Sequence, residues 1–142
     1  PLAAGTVAAY ITRRAQMAFS MMNQPPLSPP AWLFPVVWTI LYVMMGIASY
    51  IIWQNGYERN DVRDAIRIYL VQLAFNFFWS VFFFNFKWYL FSLIWLVALW
   101  FLILITTIRF GKINRVAAYI MIPYLVWVTF AGYLNFAIYL LN

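Results

Sequence analysis

The fold class predicted by the sequence is an all-α membrane protein, a five-transmembrane-helix bundle, and three observations carry the prediction. Of the 142 residues, 67% are hydrophobic and only 8% charged, where a soluble domain has about 25% charged residues. The mean hydropathy is +0.84, and such a chain cannot cover its own surface in water. The few charges also gather at a few points. They leave the uncharged runs Ala15–Tyr57, Ile68–Phe86, Trp88–Ile108 and Val116–Asn142, each able to hold the roughly 20 apolar residues of one membrane span. Finally, the chain has no cysteine and no histidine. That excludes disulfides, thiol nucleophiles, Ser–His triads and the usual transition-metal ligands, so no metal site is expected. The net charge of +6 fits basic residues flanking spans rather than a nucleic-acid partner.

Taken in order, residues 1–11 are apolar but cover only about half of the ~30 Å hydrocarbon core. They are expected to be the end of a first spanning helix truncated at its N-terminus, within a single domain over 1–142. Their Ala4-x-x-x-Ala8 and Gly5-x-x-x-Ala9 spacings suit close approach of another helix, within the monomer or across a dimer. The loop Thr12–Pro30 carries Arg13 and Arg14, then Pro25, Pro26, Pro29 and Pro30. Prolines fix φ and remove donors, so this stretch is a rigid approach to the next helix, whose first turn tolerates them. That helix is predicted over about 31–53. The polar link QNGYERNDVRD follows, with all three acids, Glu58, Asp61 and Asp64. Interleaved with Arg59 and Arg63, these acids read as a solvated link rather than an acid–base pair. Further helices are predicted over about 62–84, 88–108 and 116–140. The connections are Asn85–Lys87 and Arg109–Arg115, the latter broken at Gly111 and Asn114. Pro123 lies inside the last span, where it removes one backbone bond and is expected to kink the helix.

Orientation follows from Lys and Arg. Arg59, Arg63, Arg67, Arg109, Lys112 and Arg115 fall on one side, and Arg13, Arg14 and Lys87 on the other. The positive-inside rule then puts the N-terminus in the cytoplasm and the proline-rich loop outside.

The predicted spans contain no Asp, Glu or His beyond their ends, which argues against proton-coupled transport. They do contain indoles, phenols and amides at helical spacing. Gln72, Asn76 and Ser80 share one face; Trp38, Tyr42, Met45 and Ser49 share another; Tyr124, Trp127, Ala131 and Asn135 make a third. Two readings stand for these stripes: interhelical hydrogen bonding, or convergence on one apolar cavity with a few polar anchors. Trp32, Trp53 and Trp88 lie at span ends, as interfacial anchors do. Trp38 and Trp127 lie deeper.

Three stretches, SPPAWLFPVVWTILYVMMG (28–46), QLAFNFFWSVFFF (72–84) and IPYLVWVTFAGYLN (122–135), together make the chain resemble the TspO/MBR family of bacterial tryptophan-rich sensory proteins and translocator protein, the peripheral-type benzodiazepine receptor. The resemblance implies a five-helix bundle, commonly a homodimer, in the membrane lipid. It implies binding of protoporphyrin IX and related tetrapyrroles, and of synthetic isoquinoline and benzodiazepine ligands, in a cavity under the first loop. For some members it implies light-dependent porphyrin degradation. By the same comparison Trp38 and Trp127 match the pocket tryptophans, catalytic if photo-oxidation occurs, and Asn76 matches a ligand-anchoring amide. Leu41, Tyr42, Ala131 and Leu134 fall on lining positions. Leu27 stands where the family commonly has tryptophan. Nothing basic follows Tyr133 or Tyr139, so sterol binding is not expected.

Chemistry and resemblance agree on the ligand type. Indole and phenol faces stack on a flat macrocycle, and its edge carboxylates want cations near the mouth. Arg13, Arg14 and Lys87 are the candidates. No covalently bound cofactor is expected, and without His or Cys the free-base porphyrin is expected to be preferred over haem. The expected function is a membrane receptor or sensor for protoporphyrin IX-like tetrapyrroles, with a light-dependent degrading enzyme and a translocator as alternatives. The expected location is a bacterial inner membrane.

Overall fold

The computed structural model describes residues 32–141. They form four helices: α1 (Leu33–Trp53), α2 (Asn60–Ser80, continued by a π turn Val81–Asn85), α3 (Tyr89–Ile113) and α4 (Arg115–Leu141). Each is long and apolar enough to cross a membrane. The expected span over 1–11, the proline loop, Arg13, Arg14 and Leu27 lie outside the described residues, so the fifth helix is not among those seen.

Helix α1 ends in overlapping turns, Asn55 N–H to Ile52 C=O and Gly56 N–H to Trp53 C=O, both 3.1 Å. Gly56 has φ +109°, a conformation that strains any residue with a Cβ. Helix α2 then starts after Arg59, in extended conformation. Asp61 Oδ1 accepts the Val62 N–H at 2.9 Å, an acid placed where the helix end exposes donors. Arg59 clasps the same carboxylate at 2.6 Å. This is the solvated link that the charge pattern predicts.

Two predicted boundaries move. The break expected at Gly111 and Asn114 narrows to Asn114 alone, and α3 runs five residues past the expected end at 108. Asn114 is extended (φ −153°, ψ 120°), and its Oδ1 accepts the Val116 N–H at 2.9 Å, capping α4. Gly111 stays helical because a helix start is packed beside it: a Cβ there would sit 3.3 Å from Ala118 Cβ. The second change is the π turn at the end of α2, closed by Phe86 N–H to Val81 C=O at 3.1 Å. The chain turns back through Lys87, at φ +56°, with Trp88 N–H on Phe82 C=O at 3.0 Å.

Helix α4 packs along α3 and against α1, α2 packs on α3, and α1 rests more lightly on α2. Between the lower halves of α1 and α2 runs an open groove of about 400 Å³ lined by Gly46, Ser49, Tyr50, Trp53, Ile66, Tyr69 and Leu70. The interior holds Leu41, Met45, Ala48 and Ile52 from α1, Leu99 and Ile103 from α3, and Met121, Val128 and Ile138 from α4. Large rings such as Phe77, Phe78, Phe91 and Phe101 face outward, as is stable only where the surroundings are as apolar as the core. Among the described residues the buried polar side chains are Gln72, Asn76, Ser92, Thr106 and Asn135. Where their hydrogen bonds go defines the site.

Candidate ligand-binding site

The centre of the aromatic cluster is Trp38, near the start of α1. Its ring lies 5.7 Å from Tyr42, 6.3 Å from Tyr124, and 6.5 Å from both Trp79 and Trp127, centroid to centroid. These are contact distances for tilted and edge-on aromatic pairs. One turn of α1 supplies Trp38 and Tyr42. Three residues of α4 separate Tyr124 from Trp127, and three of α2 separate Asn76 from Trp79, so each pair shares a helix face. Three helices thus bring Trp38, Trp79, Tyr124 and Trp127 together.

Beside the rings runs a hydrogen-bonded chain. Tyr42 donates its hydroxyl to Asn76 Oδ1 at 3.0 Å, and Asn76 Nδ2 donates to Tyr124 Oη at 2.6 Å. Tyr124 in turn donates to Gln72 Oε1 at 2.7 Å, and Gln72 Nε2 points at Met45 Sδ at 3.8 Å. In hydrocarbon such a chain ties α1, α2 and α4 together, since the alternative is unsatisfied polar groups.

The third stripe joins this chain only through Tyr124; Asn135 does not. Asn135 is eleven residues beyond Tyr124, about 16 Å along a helix, and it faces α2 and α3 at another level. Its Oδ1 accepts from Trp79 Nε1 at 3.0 Å and from Ser92 Oγ at 3.1 Å, and its Nδ2 donates to the Tyr89 carbonyl at 2.8 Å. The polar stripes therefore form two separate networks rather than one. Ser49 and Ser80 bond to carbonyls of their own helices, Gly46 and Asn76, and take no part in either.

Among the described residues, a gap beside the rings is lined by Phe34, Trp79, Phe83, Phe84, Ala131 and Leu134 and has room for about 10 Å³, roughly one water. A macrocycle enters this gap only if these side chains part. Of the residues singled out in the sequence, Ala131 and Leu134 line this gap, and Trp38 and Trp127 meet beside it. Leu41 is buried. Tyr42 is 43% exposed, with its ring beside Trp38 and its hydroxyl on Asn76. Asn76 is fully buried, and its side chain bonds to Tyr42 and Tyr124. Lys87 is exposed on the connection between α2 and α3.

Trp79, Phe83 and Phe84 were not among the expected site residues. Trp79 was findable, because it sits three residues from Asn76 on the same face. Phe83 and Phe84 are neighbours in sequence and both reach Trp79, at 5.3 Å and 6.0 Å. That follows from the wider π turn, which periodicity at 3.6 residues does not show.

The sequence profile of the TspO/MBR family matches residues 1–141. The chain belongs to the TspO/MBR family. It is 38% identical over 133 residues to the tryptophan-rich protein TspO of Chlorobaculum tepidum, covering 94% of this chain and 84% of that protein. It is 38% identical over 142 residues to the protein of the same name from Archaeoglobus fulgidus, covering 99% and 91%. To the translocator protein of Bos taurus it is 32% identical over 120 residues, covering 83% and 70%. Membership of the TspO/MBR family agrees with the apolar helices and with the tryptophan-rich interior described above.

Proposed function

We propose that this membrane protein of the TspO/MBR family is a receptor or sensor for protoporphyrin IX-like tetrapyrroles, bound free-base, without any covalent cofactor. It would also take flat synthetic ligands of the isoquinoline and benzodiazepine type. The observation that carries this reading is the meeting of Trp38, Trp79, Tyr124 and Trp127 beside a gap walled by Phe83, Phe84, Ala131 and Leu134. Indole and phenol faces stack on a flat macrocycle, and Tyr42 and Asn76 offer a few polar atoms within an apolar wall. Arg13, Arg14 and Lys87 are the proposed partners of the edge carboxylates. The protein is proposed to work as a homodimer in a bacterial inner membrane with its N-terminus in the cytoplasm.

A second reading, light-dependent porphyrin degradation, is favoured by one geometric fact. Trp38 and Trp127, the two expected pocket indoles, stand 6.5 Å apart at 88°, so a bound macrocycle would lie beside both. The experiment is a protoporphyrin IX titration of the purified protein, followed by tryptophan quenching and absorbance in darkness and then in light, with Trp38→Phe and Trp127→Phe alongside. Saturable dark binding with a stable spectrum supports the receptor. Light-driven loss of the porphyrin spectrum that needs both indoles makes the protein an enzyme. Absence of saturable binding overturns both readings.

A further inference from the structure

The two connections at the basic end of the bundle, with the helix turns beside them, each carry three cations. Arg59, Arg63 and Arg67 share theirs with Glu58, Asp61 and Asp64, the only acids in the chain. Arg59 pairs with Asp61 at 2.6 Å, Arg67 with Asp64 at 4.0 Å, and Arg63 donates to Asn60 Oδ1 at 2.7 Å. Around the Asn114 break, Arg109, Lys112 and Arg115 stand with no acid beside them, and all three are exposed. Membrane orientation is set by Lys and Arg and little by acids. It accounts for cations at both connections, but not for one being compensated and the other left bare.

Helical spacing leads the bare cations onto an apolar stripe. Phe101, Ile105, Ile108 and Lys112 follow at i, i+4, i+7 and i+11 and so share one face of α3, with Arg109 beside them. The three apolar members are 53%, 39% and 51% exposed. They run from Lys112 into the depth of the membrane, about 16 Å along the helix axis. Helix α4 is packed closely at the foot of the stripe, where a Gly111 Cβ would sit 3.3 Å from Ala118 Cβ. Arg115, at the start of α4, is thereby held near the end of α3.

We propose that this turn binds the phosphate of an anionic phospholipid, with Arg109, Lys112 and Arg115 around the phosphate and an acyl chain laid along Ile108, Ile105 and Phe101. Arginine forks match phosphate oxygens two at a time, and lysine adds a point charge. A soluble phosphate would use the cations alone. The continuity of cations and stripe on one helix face selects the lipid. The site lies at the opposite end of α3 from Lys87 and is independent of the tetrapyrrole reading.

The test counts lipids retained by the purified full chain in detergent, by native mass spectrometry, where orientation in a membrane has no bearing. Dioleoylphosphatidylglycerol is compared with dioleoylphosphatidylcholine, whose phosphate is offset by choline, and with glycerol 3-phosphate, which has the phosphate without chains. Two triple variants each remove three cations from the same end of the bundle. One combines Arg109→Gln, Lys112→Gln and Arg115→Gln; the other combines Arg59→Gln, Arg63→Gln and Arg67→Gln. The first is expected to weaken phosphatidylglycerol binding about a hundredfold, that is about fivefold or ~1 kcal/mol per cation. The second is expected to leave it nearly unchanged, and phosphatidylcholine is expected to bind weakly throughout. Equal losses in the two variants would reduce the effect to net charge and overturn the proposal. Unchanged binding in the first variant, or equal retention of the two lipids, overturns it as well. Displacement of the lipid by an equal concentration of glycerol 3-phosphate would make the turn a site for a soluble phosphate, and the lipid proposal would fall.

Discussion

Asn135 uses both ends of its amide, taking hydrogen bonds from Trp79 on α2 and Ser92 on α3 and giving one to the Tyr89 carbonyl. Asn135→Leu removes the acceptor and leaves the Trp79 indole N–H stranded in an apolar interior. Ser92 loses less, since its hydroxyl also lies 3.0 Å from the Tyr89 carbonyl. The expected destabilisation is about 1–3 kcal/mol, the penalty for one orphaned buried donor. Thr129→Val, which frees Trp100 Nε1 at an exposed pair, should cost well under half as much. Unfolding of both variants in one detergent checks this, and equal losses would count against the role of burial. Tyr124→Phe is expected to weaken the bundle comparably to Asn135→Leu, because its hydroxyl bridges Asn76 and Gln72. At this scale the sequence told which residues are polar or aromatic and which share a face. It did not tell their partners. Asn76 and Asn135 are both amides on a buried helix face, and only the packing of the helices assigns them to different networks.

At the scale of whole helices, the spans were legible because apolar runs bounded by charge leave little freedom, and the ends were less so. Gly111 reads as a breaker in isolation, yet it lies inside α3 because the start of α4 leans on it, with Ala118 3.3 Å from where its Cβ would be. Gly46, by contrast, has nothing within 4 Å of that position. Gly111→Leu is therefore expected to prise α3 from α4 and cost about 1–3 kcal/mol, as overpacking does. Gly46→Ala should be neutral or gain up to ~1 kcal/mol from helix propensity. Thermal melting of the two variants side by side decides it, and a benign Gly111→Leu would mean that the close approach is not needed. The π turn at Val81–Asn85 was not legible at all. No residue in VFFFN breaks a helix, and the turn is set by how α2 must meet α3. Yet it puts both Phe83 and Phe84 against Trp79, so part of the proposed binding wall depends on it.

Across the whole molecule the charge pattern gives the bundle a direction. Because the four helices alternate, the link 54–59 and the Asn114 break lie at one end, and the connection through Lys87 lies at the other. The first end carries Arg59, Arg63, Arg67, Arg109, Lys112 and Arg115, all close to helix termini. We propose, on the positive-inside rule, that this end faces the cytoplasm, with the outward-facing rings between the ends against lipid. The absence of cysteine from the chain makes this directly measurable with single introduced thiols. Asn55→Cys and Asn114→Cys are expected to resist a membrane-impermeant maleimide in intact cells and to react once the membrane is opened. Lys87→Cys is expected to react in intact cells. The opposite pattern would turn the bundle over and put the gap between Phe34 and Phe84 at the cytoplasmic end. A porphyrin would then have to approach from inside the cell, with Lys87 at a cytoplasmic mouth.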